Sequence, residues 1–175
     1  LPISGGLHER YGLKKLTEAF MMLPQENFRL KLFGSGPFVE KLKTKYTKKD
    51  SRIQYMGVAP NAEVVAAELD ASLLVNPRPT HEEFTKYSFP SKNIEYMASG
   101  TPLLTTKLPG MPKEYYPYVF LIENESVEGY AKALESVLAQ SDEELYVFGE
   151  KAKDFVLEKK NSFEQAKRVI ELIKL

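Results

Sequence analysis

Short apolar segments alternate regularly with amphipathic segments over the first 122 residues of the chain. The apolar segments have the length and composition of buried strands. The predicted strands are residues 1–6, 28–33, 52–56, 72–76, 102–105 and 119–122, and the predicted helices between them are 12–23, a lysine-rich stretch ending near 49, 61–69 and 90–99. This alternation predicts an α/β fold, a single domain with a parallel sheet of about six strands and helices on both faces.

Helical patterns dominate the rest of the chain. Ser126 is placed to cap a helix, Ser141 and Glu144 form a capping box for the next, and Ser162 with Gln165 starts the last. We therefore expect one domain over residues 1–175 that ends in a helical carboxyl-terminal extension. The opening LPISGG has no initiator methionine and reads as the end of a buried strand, so we expect the sequence to be a fragment.

Charge balance and cysteine content exclude several classes of function. Lysine plus arginine and aspartate plus glutamate both number 24, so no overall positive field favours nucleic acid. With no cysteine and two histidines, a disulfide framework, a thiolate metal site and a histidine-rich metal centre are not expected. The composition fits the cytoplasm, and no apolar run approaches the roughly 18 residues of a membrane span.

Four loops that follow predicted strands are suited to binding an anion. They are Gly5-Gly6 with Arg10, Gly34-Ser35-Gly36, Asn76 to Arg78, and Ser88 to Lys92. Parallel strands end at one edge of a sheet, so these loops are expected to lie together. Glycine lets backbone amides approach phosphate oxygens closely, although simple turn glycines are an equal alternative at each pair.

Two common nucleotide-binding motifs are absent. The pattern G-x-G-x-x-G fails because Val39 stands at its third small position, and no acidic residue follows at the spacing of a ribose ligand. The chain also lacks G-K-S and G-K-T. Nicotinamide-dependent dehydrogenases and P-loop phosphoryl transfer are therefore disfavoured.

The helix that starts at Pro90 holds the densest set of binding groups. Its first amides, at Ser91 and beyond, attract anions; Lys92 adds a positive charge, and Glu95 can accept hydrogen bonds from hydroxyls. This set suits a sugar that carries a diphosphate. An ordinary surface ion pair between Lys92 and Glu95 is the open alternative.

Arg78 is the second candidate cation, because flanking prolines stiffen its loop and reduce the entropy lost on gripping a phosphate. The alternative is an arginine folded over the surface. The stretch His81, Glu82 and Glu83 fits a solvated loop tip better than a mobile catalytic group. The tyrosines at 115, 116 and 118 fit a core cluster at a strand entry better than a carbohydrate platform.

Five motifs, taken in order, resemble the carboxyl-terminal domain of nucleotide-sugar glycosyltransferases of family 4, which have the two-domain GT-B architecture. The motifs are SGGLHERYG, LKLFGSGP, NPRP, SFPSKNIEYMASGTPLL and LPGMPKEYY. The resemblance covers residues 3–122 and extends more loosely over the rest. It implies a Rossmann-like domain that binds the donor nucleotide, with the acceptor bound by a preceding domain absent from this chain.

The resemblance also implies an activity. The donor would be a UDP- or GDP-linked sugar, no cofactor would be required, and a saccharide or lipid-linked acceptor would receive the sugar with retention during bacterial surface polysaccharide synthesis. By the same likeness, Glu95 holds the ribose hydroxyls and the Ser91-Lys92 helix start faces the diphosphate. The expected binding residues are Gly5, Gly6, Arg10, Gly34, Ser88, Pro90, Ser91 and Glu95, with Lys92 and Arg78 in catalytic roles.

Three features depart from the family pattern. Tyr87 stands where the family often has the first of two glutamates, Gly6 and Tyr11 stand where it commonly has an arginine and a lysine, and the loop 77–90 is long. Arg10, Arg78 and Lys92 are the candidate replacements for the missing cations. A nucleotide-sugar epimerase and a non-catalytic sugar-nucleotide-binding module remain alternatives. Whether the helical tail of the full-length protein docks on the absent domain or peripherally on a membrane is also open.

Overall fold

Strands and helices alternate through most of the chain, as the sequence predicts. The structure, a computed structural model, describes residues 1–87, 89–161 and 164. Its strands are β1 Pro2–Gly6, β2 Leu30–Ser35, β3 Ile53–Gly57, β4 Leu74–Asn76, β5 Leu103–Thr106 and β6 Phe120–Ile122. Its α-helices are α1 Leu13–Met21, α2 Phe38–Lys41, α3 Thr47–Lys49, α4 Asn61–Leu69, α5 Ser91–Ser99, α6 Val127–Leu138 and α7 Asp142–Lys159. Short 3-10 segments occupy Glu9–Tyr11, Glu83–Lys86 and Lys113–Tyr118.

Most element boundaries differ from the predicted ones by one or two residues. The predicted strand 28–33 is found at Leu30–Ser35, because Gly34 and Ser35 continue the ladder opposite Gly5 and Gly6. The lysine-rich helix is less regular than expected, since a π-helical turn, Leu42–Tyr46, joins α2 to α3. These shifts leave the predicted order of elements unchanged.

All strand pairs are parallel, in agreement with the prediction. The six strands form two three-stranded ladders, in the orders β1-β2-β3 and β4-β5-β6. β1 also lies against β4, so the two ladders meet along these two strands. The chain therefore changes direction across the sheet between β1 and β4, which is the position where parallel α/β sheets leave a crevice at their carboxyl edge.

Helices cover both faces of the sheet, as predicted. Along β4, Val75 contributes to one buried cluster and its neighbour Leu74 to another, and in β5 Leu104 and Leu103 divide in the same way. Alternate residues of a strand point to opposite faces, so the two clusters lie on opposite sides of the sheet. One cluster includes α1 and α6, which pack together, and the other includes α5 and α7, which also pack together.

The helix starts follow the predicted capping residues where the structure describes them. The Ser126 side chain accepts a hydrogen bond from the Gly129 amide at the start of α6. Ser141 and Glu144 form the predicted capping box of α7. The predicted helix start at Ser162 and Gln165 lies outside the described residues.

A buried ion pair fixes the loop that follows α1. The Arg52 guanidinium donates to Asp50 and also to the carbonyl oxygens of Leu23 and Gln25, at 2.7 Å each. The hydrogen bond from Arg52 lowers the pKa of Asp50 below its usual value of 3.8. The pair thus joins the end of α1 to the entry of β3.

Asp50→Asn is expected to lower the free energy of unfolding at pH 7 by about 1–2 kcal/mol, because one charge-assisted partner of Arg52 is lost. A carboxyl group with a lowered pKa stabilises the fold above its unfolded pKa, and that stabilisation is lost as pH falls through the folded pKa. The difference between wild type and variant, measured by urea unfolding, should therefore shrink below about pH 4. A difference that stays constant down to pH 2 would contradict this assignment.

Candidate functional site

A cavity of about 110 Å³ opens where β1 and β4 meet at the carboxyl edge of the sheet. The end of β1 contributes Gly5 and Gly6, the segment after β4 contributes Arg78, and α5 contributes Lys92. These four residues were predicted from separate motifs, and the fold brings them to one cavity. The site thus lies at the crevice position expected for a ligand of an α/β sheet.

A second cavity of about 250 Å³ adjoins the first, and Ser4, Gly5 and Lys92 line both. Gly34, from the end of β2, and Asn61, the first residue of α4, belong to this second cavity. We call the two cavities together the cleft. Its length along the sheet edge suits an extended ligand better than a single compact group.

Two positions of the cleft are occupied by glycine for different structural reasons. Gly5 and Gly34 adopt φ values of +119° and +125°, a conformation that other residues rarely adopt. A Cβ on Gly34 would lie 1.9 Å from the carbonyl oxygen of Gly5, whereas a Cβ on Gly5 would meet no heavy atom within 4 Å. Gly34 therefore permits the close approach of β1 and β2, and Gly5 leaves the space of the cleft open.

The start of α5 supplies backbone donors at the side of the cleft. Pro90 occupies the N-cap position in an extended conformation, and no side chain caps the helix there. Ser91, the first helical residue, is exposed. Helix-start amides that lack an internal partner favour a negative charge nearby. Ser88, the other predicted binding residue of this loop, lies outside the described residues.

Lys92 lies between two carboxylates. Its Nζ atom is 2.9 Å from Glu95 Oε1 and 3.7 Å from Glu68 Oε1. Burial acts to lower the pKa of Lys92, but the hydrogen bond to Glu95 and the acidic groups of Tyr96 and Glu68 outweigh it, so the pKa is raised. The ammonium is therefore charged at neutral pH. The ion pair between Lys92 and Glu95 that the sequence left open does form, and Lys92 still lines both cavities.

Two arginines stand beside an aromatic pair at the rim of the cleft. The guanidinium carbon of Arg78 lies 5.0 Å from the ring centroid of Tyr11 and 5.8 Å from that of Phe84. Arg10 lies 5.3 and 5.9 Å from the same two rings. Tyr11 lines the first cavity, so Arg10 stands behind it at the rim. Within the described part of the chain, neither arginine forms an ion pair, so their charges are not neutralised locally.

Sequence patterns missed three residues at the cleft: Ser4 and Tyr96, which line it, and Glu68, which lies behind Ser4 and lines neither cavity. The Ser4 hydroxyl donates to Glu68 Oε1 at 2.8 Å and lies 3.4 Å from the Tyr96 hydroxyl. Glu68, on α4, is only 2% exposed. One signal was available, because Glu68 follows the buried Val64 by four residues and so lies on the buried face of its helix. A carboxylate on that face requires a polar or charged partner.

The acidic loop after Arg78 is anchored away from the cleft. The Thr80 amide donates to both Glu125 carboxylate oxygens, at 3.2 and 3.1 Å, just before α6. His81 is exposed and lies 3.9 Å from Glu82 and 4.0 Å from Glu125. Tyr115 is buried and its ring packs against Phe89 and Phe155, which supports the predicted core role for this tyrosine.

Metal-binding clusters and membrane-spanning helices are absent from the part of the chain that the structure describes. Among its residues, no group of three or more histidine, cysteine, aspartate or glutamate side chains is arranged to hold a metal ion. None of the helices there combines the length and apolar character needed to cross a bilayer.

Comparison with known proteins places the chain in a family. The sequence matches the family described as Glycosyl transferases group 1 over residues 1–155. The chain belongs to this family. A relative named colanic acid biosynthesis glycosyltransferase WcaL, from Escherichia coli (strain K12), is 30% identical over 112 residues, which are 61% of this chain and 27% of the relative. The chain thus matches about a quarter of that protein.

Two solved structures share the fold of the chain. The carboxyl-terminal domain of the group 1 protein LpcC from Francisella tularensis superposes with a TM-score of 0.73 at 19% identity, covering 92% of this chain and 85% of that domain. The Anabaena protein HepE, solved with UDP and glucose, gives a TM-score of 0.72 at 15% identity over 99% of this chain and 48% of HepE. These likenesses support the Rossmann-like, GT-B-type architecture of the chain.

Proposed function

We propose that the chain is the donor-binding half of a glycosyltransferase that moves a sugar from a nucleoside diphosphate to a saccharide or lipid-linked acceptor. The observation that carries the proposal is the convergence of Arg78 and Lys92 on one cleft at the carboxyl edge of the sheet, with Lys92 in the first turn of α5, which no side chain caps. Two cations beside an uncapped helix start suit a diphosphate. Family membership and the bound UDP of HepE favour the same class of ligand.

The charges of the cleft fit the chemistry of sugar transfer from a nucleoside diphosphate. As the bond between the sugar and the diphosphate breaks, negative charge grows on the departing diphosphate. Donors that are already in place stabilise this charge more in the transition state than in the bound substrate. Arg78, Lys92 and the first amides of α5 would do so here. We further propose that transfer occurs with retention and without a required cofactor.

Glu95 is placed to exchange partners when the donor binds. Its carboxylate is exposed and paired with Lys92. Ribose hydroxyls would donate to this carboxylate, while the Lys92 ammonium turns to the diphosphate. In this arrangement the ion pair is the resting state of the site rather than an alternative to its function.

Among the described residues, no acidic side chain or histidine lines the first cavity. We propose that the acceptor, and any general base for its hydroxyl, belong to a second, acceptor-binding domain. The similarity to WcaL favours surface polysaccharide synthesis as the setting. A non-catalytic sugar-nucleotide-binding module would show the same cavity, and only the enzyme would release nucleoside diphosphate when the acceptor-binding domain and an acceptor are supplied.

Nucleoside diphosphates are expected to raise the melting temperature of the chain, whereas the matching nucleosides should do so less. A ligand at a hundred times its dissociation constant adds about 2.7 kcal/mol to the free energy of unfolding. UDP, GDP, uridine and guanosine should be compared by thermal shift. The difference between UDP and GDP would identify the base of the donor.

The matched control is Lys48→Ala, which removes one positive charge from an exposed position on α3. It should bind diphosphates as the wild type does, while Arg78→Ala should bind them less tightly. The absence of any shift with both diphosphates at millimolar concentration would contradict the proposed donor site.

A further inference from the structure

We propose that the buried carboxylate of Glu68 limits how tightly the cleft holds the diphosphate, and so promotes release of the nucleoside diphosphate product. This proposal rests on the diphosphate site proposed above. It concerns Glu68, which lies outside the motifs of that site and has no role in the proposed transfer of the sugar.

The first observation is the position of the charge. Glu68 Oε1 lies 3.7 Å from Lys92 Nζ, the ammonium that would contact the diphosphate. A carboxylate this close to a phosphate-binding cation also acts on the phosphate, and like charges separated by several ångströms repel appreciably in a partly buried site. Glu68 therefore opposes the attraction that Lys92 exerts.

The second observation is that the Glu68 carboxylate is fixed in position. The side chain of Glu68 is 3% exposed, and its Oε1 atom accepts a hydrogen bond from Ser4. The backbone oxygen of Glu68 accepts from the Thr101 hydroxyl at 2.8 Å. The carboxylate is thus held behind Ser4, 3.7 Å from Lys92, through both its side chain and its main chain.

Glu95 differs in just this respect. Its side chain is 42% exposed, so it can turn from Lys92 to the ribose hydroxyls when a donor binds. Repulsion from Glu95 is then offset by those hydrogen bonds, whereas repulsion from Glu68 is not. Of the two carboxylates beside Lys92, only Glu68 lowers the affinity of the bound state.

The charge of Glu68 is not required for packing. Removing one member of a buried ion pair is destabilising when the other charge is left buried and unpaired. Lys92 would keep Glu95 as a partner at 2.9 Å. It also reaches solvent, since its side chain is 31% exposed. A glutamine at position 68 would still accept the Ser4 hydrogen bond, so the feature that the carboxylate adds is its negative charge.

The functional consequence concerns the end of the reaction. Arg78 and Arg10 supply positive charge that no carboxylate in the described residues neutralises, and the start of α5 adds to it. A site with that field alone would retain its diphosphate product, and product release limits turnover in many enzymes. A fixed negative charge 3.7 Å from Lys92 weakens the hold on the diphosphate without removing the cations that assist bond cleavage.

The test compares ligands of increasing charge. Calorimetry would measure the affinity of the wild type and of Glu68→Gln for a nucleoside, its monophosphate and its diphosphate. Both the uridine and the guanosine series would be used. We expect Glu68→Gln to bind the diphosphate about tenfold more tightly, the monophosphate by a smaller factor, and the nucleoside unchanged within about twofold. Stopped-flow dissociation of the diphosphate should slow by a similar factor. Glu68→Asp, which keeps the charge, should follow the wild type.

Several results would overturn the inference. Equal changes for all three ligands would indicate a merely structural role, and an unchanged or weaker diphosphate affinity in Glu68→Gln would remove the charge effect. Should that variant not fold, Glu68→Met carries the same test, because it also removes the charge. If the wild type binds no diphosphate, the donor site itself fails and this inference falls with it; if the wild type binds and Glu68→Gln matches it, only the inference fails.

Discussion

Replacing Arg78 with alanine is expected to lower the rate of sugar transfer by roughly a hundredfold, because one preorganised charge is removed from the departing diphosphate, a loss of about 3 kcal/mol in transition-state stabilisation. The measurement is the release of nucleoside diphosphate by the chain joined to the proposed acceptor-binding domain. Arg78 has no ion-pair partner in the described residues, and its guanidinium contacts the rings of Tyr11 and Phe84. The free energy of unfolding should therefore fall by only about 1 kcal/mol.

Lys92→Ala tests the same role of the cleft, but this substitution also affects stability. It should also slow transfer, but it leaves the buried Glu68 carboxylate without its ammonium, which costs about 1–3 kcal/mol of stability. Rates for Lys92→Ala must thus be compared at a temperature where the variant is fully folded. Lys48→Ala again provides the control at an exposed site. Unchanged transfer by both Arg78→Ala and Lys92→Ala would contradict the proposed role of the cleft.

Periodicity made the fold predictable. The apolar runs of β4 and β5 are buried on both sides, which is what a central parallel strand requires, and α4 was found at its predicted bounds, Asn61–Leu69. The rule that parallel strands end at one sheet edge then placed Gly5, Arg78 and Lys92 together correctly. The exact end of β2 was missed, because its last two residues depend on hydrogen bonds to β1 and not on local composition.

The contacts of Glu68 with Ser4 and Lys92 were not predictable in the same way. Glu68, Ser4 and Lys92 come from α4, β1 and α5, and Glu68 and Ser4 are 64 residues apart in sequence. Local patterns show that Glu68 lies on a buried helix face, but they do not show which distant groups neutralise it. A site that depends on contacts between distant elements requires the folded chain, whereas the glycine loops and the helix start were visible as motifs.

Gly34→Ala is expected to destabilise the chain by about 3–5 kcal/mol more than Gly5→Ala does. Both glycines have nearly the same positive φ, so both substitutions add similar backbone strain of about 1–3 kcal/mol. Only at Gly34 would the new Cβ also overlap a backbone atom, the carbonyl oxygen of Gly5 at 1.9 Å, and this overlap would force β1 and β2 apart. Urea unfolding of the two variants measures the difference directly.

Gly5→Ala, the less destabilising of the two substitutions, is expected to impair nucleoside diphosphate binding. Gly5 lines both cavities, so the Cβ of Gly5→Ala would enter the open space where the donor is proposed to lie. This variant should therefore fold and yet lose most of its affinity for nucleoside diphosphates. Gly57→Ala is the control, because Gly57 also has a positive φ of +78° and open space around it but lines neither cavity. It should show the strain and keep the affinity. If Gly5→Ala bound diphosphates as well as Gly57→Ala does, the ligand would not pass over the end of β1, and the cleft would have to be placed elsewhere.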